Sequence, residues 1–289
     1  MDNFNNEFAQ AIEEILKEYE AKYNINIFFA CDTGSRSLGV AAMTSDFDLN
    51  GFFIPHYKEY LKIHRTSKEI ISKQGIKFKV NEECYELDIQ LWDIKDWLKE
   101  KIEKNILGCD FWFESPIIFR NHHTGIIEKI KSYIEPPFYY FWGKYRNNFD
   151  KCQKEINKEG TQNKKIMNTL IYATQFLHTR VLDGFPKYNI FQEIELFMKN
   201  KDSILQKGSL TEEEFKTLIE CFDFIKVCYE EKKKNKKSLA KEIPQFVINF
   251  NEMMLNKFNP KALKLGIVNY WNEKNSQEIF DEILKNYKI

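Results

Sequence analysis

Asp46 and Asp48 flank a phenylalanine in the run Ser45-Asp-Phe-Asp-Leu-Asn50, and Asp88 interrupts the apolar pair Leu87 and Ile89. In an extended chain, successive side chains point to opposite faces. Asp46 and Asp48 therefore share one face, while Phe47 and Leu49 enter the core. Two carboxylates ~7 Å apart along a strand face repel each other unless a cation sits between them. Asp88 is likewise an acid on the exposed face of an otherwise apolar strand pattern. If that strand neighbours the first, three hard oxygen donors converge, and such a set suits one or two Mg2+ ions. Two ions about 3.5–4 Å apart can clamp an in-line phosphoryl displacement.

Gly34-Ser35 adds what the acids lack. It follows the apolar run Ile25-Asn-Ile-Phe-Phe-Ala-Cys31 and stands 11 residues before Asp46. Glycine lets the backbone approach a phosphate closely, successive N–H groups can point at its oxygens, and the serine hydroxyl is a further donor. Arg36 has two readings: a phosphate ligand, or a brace paired with Asp32 or Asp46. Taken singly, each piece is ordinary. Asp-x-Asp is commonly two solvated carboxylates, and Gly-Ser after a strand is commonly a turn. Their order and spacing together are uncommon.

The elements that must position these residues follow from periodicity. Phe8, Ile12, Ile15, Leu16 and Tyr19 recur at helical spacing opposite Glu13, Glu14, Lys17 and Glu18. Residues 25–31 read as a buried strand, and 47–54 as a second, closed by Pro55. Residues 76–80 and 85–91 alternate and are joined by a hairpin-sized Asn81-Glu-Glu83. From Trp92 onward the pattern is helical, clearest over 161–182, 190–199, 211–232, 243–257 and 276–287. The expected fold class is thus α+β over residues 1–134, followed by an all-α lobe over 135–289, with Pro136-Pro137 at the boundary.

The string Gly34-Ser-Arg-Ser-Leu-Gly39, Ser45-Asp-Phe-Asp48, Asp88-Ile-Gln-Leu-Trp-Asp93 and Glu114-Ser-Pro-Ile-Ile-Phe119 resembles the DNA polymerase β-like nucleotidyltransferase superfamily. Within it, the string is similar to the "predicted nucleotidyltransferase" branch linked to RNA repair. The resemblance covers residues ~25–120 and continues more weakly through Tyr145-Arg146 and the segment Lys165 to Gly184. It implies a catalytic domain with a mixed sheet at 1–134 and a helical domain at 135–289. It places both metals on Asp46 and Asp48, and on Asp88 the orientation of the metal that activates the acceptor hydroxyl. Gly34 and Ser35 match the triphosphate loop, and Lys165, with Lys164 as rival, matches a lysine that reaches the β/γ-phosphates. Relatives commonly carry an arginine two or three turns after that lysine. Here Tyr172, Ala173, Thr174 and Gln175 fill that region and Arg180 comes later.

The implied activity is Mg2+-dependent transfer of a nucleoside monophosphate from an NTP, ATP among them, to an acceptor hydroxyl, with Mn2+ as a substitute. An RNA or tRNA 3′ end is the first acceptor. A protein or small-molecule acceptor, a non-catalytic nucleotide-binding module and a metal-dependent hydrolase are the alternatives. Residues 1–120 carry 15 basic and 21 acidic side chains, and residues 121–289 carry 28 and 22. The net charge of zero excludes a whole-protein basic field, while the −6 and +6 parts are compatible with a carboxylate part and a phosphate-binding part.

Hydrophobic residues at 43% and charged residues at 30% exclude a disordered chain. No apolar run reaches membrane-spanning length, the N-terminus lacks a secretory pattern, and the six cysteines show no C-x-x-C spacing. A cytoplasmic protein with free thiols is therefore expected. His56, His64 and His122-His123 have no ligand spacing and read as loop histidines. Tyr139 to Trp142 read as core. Lys232 to Lys237 reads as a solvated helix end. There is no P-loop, and Gly-x-Ser-x-Gly is missing.

Overall fold

A computed structural model describes residues 2–63, 69–104, 108–134, 138–158, 160–182, 184–236, 238–260 and 273–286. His64 and the Pro136-Pro137 boundary lie outside them. The chain divides into two compact units. One comprises Met1–Leu38, Thr44–Ile134 and Val268–Ile289, and the other Gly39–Met43 and Glu135–Ile267.

The first unit opens with helix α1 (Asp2–Tyr23). Phe8, Ile12, Ile15, Leu16 and Tyr19 are its buried stripe, as the spacing predicts. The helix stops at Asn24, whose φ of 51° is left-handed, a conformation asparagine tolerates. Strands β1 (Ile25–Asp32), β2 (Phe47–Pro55), β3 (Ile70–Val80) and β4 (Glu83–Asp93) follow. Helix α2 (Ile94–Lys104), strand β5 (Ile118–Asn121) and helix α3 (Thr124–Lys131) complete this stretch. The sheet is mixed, in the order β3-β4-β2-β1-β5, with β2 and β4 parallel and the other pairs antiparallel. The β3–β4 hairpin turns at Asn81 and Glu82, both at positive φ (50° and 68°), as a two-residue hairpin turn requires.

Both faces of the central strands are covered. One packs on α1 through Ile27, Ala30, Phe47, Leu49, Phe53, Leu87, Ile89 and Leu91. The other carries an aromatic cluster in which Phe52 meets Phe29, Trp97 and Phe113, with ring centroids 6.2, 4.9 and 5.4 Å away. Beside α1, the buried guanidinium of Arg120 on β5 bonds Glu13 (2.6 Å) and Glu20 (2.7 Å). The C-terminal helix Glu273–Asn286 packs on α2 and α3, and its Glu282 pairs with Lys129 at 2.7 Å. β5 escaped the sequence pattern because four residues are too few for alternation to show. Trp92 lies within β4 instead of opening α2.

The second unit is helical: α4 (Phe138–Ile156), α5 (Asn163–Val181), α6 (Ile190–Lys199), α7 (Lys201–Gln206), α8 (Glu212–Lys233) and α9 (Gln245–Phe258). Among the described residues its strands are a two-residue ribbon, β6 (Thr161–Gln162) and β7 (Leu239–Ala240). α5 is its central helix, packed on α4, α6 and α8. Thr211 and Glu214 form a reciprocal capping box on α8, and the Asn189 side chain caps α6. Phe141 is buried, and Trp142 packs on Phe176 at 5.0 Å, so this aromatic run belongs to the core.

Candidate active site

Three successive residue pairs cross the β2–β4 ladder on one face: Phe52 with Trp92, Asn50 with Gln90, and Asp48 with Asp88. The face thus changes from aromatic core to carboxylate over four residues of each strand. Asp46 sits one residue before β2 begins. The three acids each bring an oxygen to within 4.8 Å of the others. Phe47 and Leu49 point the other way and are buried.

Two glycines make this convergence sterically possible. A Cβ on Gly34 would collide with the Asp48 carboxylate, so the turn lies directly against the acid. Thr33 N–H donates to the Asp48 carbonyl at 2.9 Å and ties the turn to β2. Gly75, at φ +68°, sits in a bulge of β3 between Lys73 and Ile76. The register leaves Asp88 opposite that bulge, and Gly75 N–H donates to Asp88 Oδ1 at 2.8 Å. One oxygen of Asp88 is thereby fixed.

Ser35 and Arg36 continue the turn. Ser35 Oγ and Arg36 Nε are shielded from solvent with no hydrogen-bond partner. The Arg36 fork donates to the Ser45 carbonyl at 2.5 Å, and its guanidinium lies 3.9 Å from the Phe47 ring centroid. Burial pulls the Arg36 pKa down, against the fields of Asp32, Tyr85, Asp46 and Asp48. The contacts of Arg36 tie it to Ser45 and Phe47, on either side of Asp46. Lys165 lies on α5 in the second unit. Its ammonium bonds Glu155 at 2.5 Å, and together with Thr161 it holds the Glu155 carboxyl below the usual range.

The sequence reading missed Asp32, Ser37, Ser115 and Gly75. Asp32 is wholly buried at the end of β1, and Ser37 and Ser115 are buried beside it. Burial pushes the Asp32 carboxyl up, while the N–H groups of Ser37, Gly34 and Asp48 hold it down. A polar residue closing an apolar strand was the available signal for Asp32. Gly75 carried none, because a bulge depends on the partner strand.

Other candidates resolve into ordinary packing. Lys232 donates to the Val40 carbonyl at 2.8 Å, and Lys233 and Lys236 pair with Glu230 and Glu231. His56 and His122 are exposed, and among the described residues neither joins a metal-type cluster. Cys84, Cys152, Cys221 and Cys228 are free thiols, and Cys31 Sγ donates to the Trp112 carbonyl at 3.4 Å. Burial pushes Cys228 up to about 12 and Cys221 higher, which makes both inert. No helix among the described residues is long and apolar enough to cross a membrane.

The donor chemistry fits a divalent cation. A Mg2+ ion with oxygens at about 2.1 Å spans roughly 4.2 Å between opposite ligands. The 4.8 Å limit on the three oxygens is close to that span. A mixed sheet that presents three such acids beside a Gly-Ser turn defines a polymerase β-type nucleotidyltransferase domain. The chain belongs to the RNA repair pathway DNA polymerase beta family, whose model matches residues 8–172. Membership supports a nucleotidyl-transfer role, and such enzymes generally use divalent metals. No curated protein matches the chain. Among solved structures, a nucleotidyltransferase-like protein from Exiguobacterium sibiricum aligns over 97% of this chain and 90% of its own. Its identity is 12% and its TM-score 0.27, values at which the likeness carries no argument.

Proposed function

We propose that this chain is a Mg2+-dependent nucleotidyltransferase. It moves a nucleoside monophosphate from an NTP to an acceptor hydroxyl and releases pyrophosphate, and Mn2+ can replace Mg2+. The convergence of Asp46, Asp48 and Asp88 carries this reading. Bound there, two divalent ions would lower the pKa of the acceptor hydroxyl and neutralise the leaving pyrophosphate.

The chain's own residues position and exclude. Asp46 and Asp48 would hold both ions, and Asp88, steadied by Gly75 N–H, would orient the one that activates the acceptor hydroxyl. The N–H of Gly34 is already used by Asp32. The N–H groups left for a phosphate are therefore those of Ser35 and Arg36, joined by the unpartnered Ser35 hydroxyl. Arg36 keeps the turn closed and supplies positive charge beside it. The assignment of Lys165 to the nucleotide phosphates rests on the family pattern alone. Catalysis of this kind is mostly positioning and charge neutralisation.

We assign the acceptor to an RNA 3′ end, tRNA included. The RNA repair description of the family supports this, as does the +6 charge of residues 121–289. The test is incubation with each α-labelled NTP, Mg2+ and total RNA, followed by nuclease and protease digestion of the product. Label in RNA is expected, declining steeply with salt because phosphate contacts release counterions. Label in protein or a metabolite would overturn the acceptor and keep the reaction class. Retained transfer in the D46N/D48N double variant would overturn the site.

A further inference from the structure

The Gly34-Ser35 turn follows β1 and Asp48 lies in β2, so a phosphate loop and a metal ligand from different strands must share one frame. Asp32 Oδ1 accepts the N–H groups of Gly34 (3.0 Å) and Ser37 (3.2 Å), and Oδ2 accepts the N–H of Asp48 (3.3 Å). The main chain of Asp32 is pinned as well. Its carbonyl accepts the hydroxyls of Ser37 (2.7 Å) and Ser115 (2.5 Å), and its N–H donates to the Ile117 carbonyl at 2.9 Å. The side chain is fully buried, so water does not compete for these bonds.

We propose that Asp32 is the positioning residue of the site: its carboxylate bolts the Gly34–Ser37 turn to Asp48 and so sets where the phosphate loop lies relative to the metal ligands. Three donors, two from the turn and one from β2, need two acceptor oxygens on one side chain, which the Asp32 carboxylate provides. Asparagine would set an NH2 donor against at least one of those N–H groups. The node also gives Ser115 of the Glu114-Ser-Pro motif a task, since its hydroxyl holds the Asp32 carbonyl.

This inference rests on the metal-site reading of Asp46, Asp48 and Asp88. Its test therefore uses Mn2+ binding and amide exchange on the full chain without nucleotide. Four proteins are compared: wild type, D32N, D48N and Ile12→Ala, the last a core truncation on α1 that lowers the melting temperature away from the site. D32N should speed amide exchange at Gly34, Ser37 and Asp48 and weaken Mn2+ binding tenfold or more. Ile12→Ala should leave Mn2+ affinity unchanged at a comparable or larger loss of melting temperature. Wild-type Mn2+ affinity in D32N would overturn the proposal while leaving the metal site standing. No Mn2+ binding by the wild type would overturn both. Should D32N not fold, S115A replaces it, with about threefold weaker Mn2+ binding expected and unchanged binding overturning the proposal.

Discussion

Three acids of the helical unit and the Asp46, Asp48 and Asp88 cluster of the sheet unit are handled in opposite ways. In the helical unit each prominent carboxylate is matched. Glu193, fully buried, bonds His178 Nδ1 at 2.6 Å and the N–H of Lys187 at 2.7 Å. Glu214 takes Lys257 at 2.6 Å and the Thr211 N–H at 2.7 Å, and Glu155 takes Lys165. In the sheet unit Asp46, Asp48 and Asp88 are instead gathered within 4.8 Å of one another. Like charges at that range repel one another. The first arrangement serves the fold. The second sets like charges close together, an arrangement that a bound cation would offset.

Substitution should separate the two. The largest effect is expected for D46N or D48N: nucleotidyl transfer falls by about a thousandfold or more, yet the melting temperature without metal holds or rises as repulsion is relieved. A drop of several degrees would show that the cluster supports the fold and erase the contrast. Next is Glu193→Ala, which strands the His178 ring and the Lys187 N–H. Denaturant unfolding should register a loss of about 3 kcal/mol, with Mn2+ affinity of the intact protein unchanged.

K165M tests whether a matched pair also serves substrate. Loss of an exposed ion pair costs at most about 1 kcal/mol. If Lys165 meets the nucleotide phosphates, KM for NTP should rise about tenfold while the melting temperature barely moves. An unchanged KM would return Lys165 to the purely structural class. The smallest effect is that of E214Q. Burial opposes the charge on Glu214, but Lys257 and the Thr211 N–H more than offset it and leave its carboxyl below the usual value. A lowered folded pKa stabilises above the unfolded value, about 4.5, and that stability is lost as pH falls through the folded value. E214Q should thus be under about 1 kcal/mol less stable at pH 7, and the difference should shrink as pH falls below the unfolded value.

Much of the sheet unit was legible because its signals are local. The α1 stripe, the apolar run of β1, the alternation of β4 and the Asp-x-Asp entering β2 each lie within a few consecutive residues. The meeting of Asp88 with Asp48 was legible only conditionally, because register between strands is not written in either one alone. The bulge at Gly75 and the Asp32 node stayed hidden for the same reason: each depends in part on a distant partner, 13 positions away for Gly75 and as far as 83 for Asp32. β5 was lost to brevity, and the β6–β7 ribbon is shorter still. In the helical unit, periodicity placed α5, α6, α8 and α9 within a few residues of their ends.

The parallel pairing of β2 with β4 has a consequence for the order of assembly. Asp46 and Asp48 leave the ribosome some forty residues ahead of Asp88, and β4 reaches its place beside β2 carrying β3 on its outer edge. A nascent chain exposed only through β2 owns two of the three acids. Were the three acids to hold metal as proposed, that site would be complete only once the β3–β4 hairpin docks, and metal uptake would report that the sheet has closed in the correct alignment.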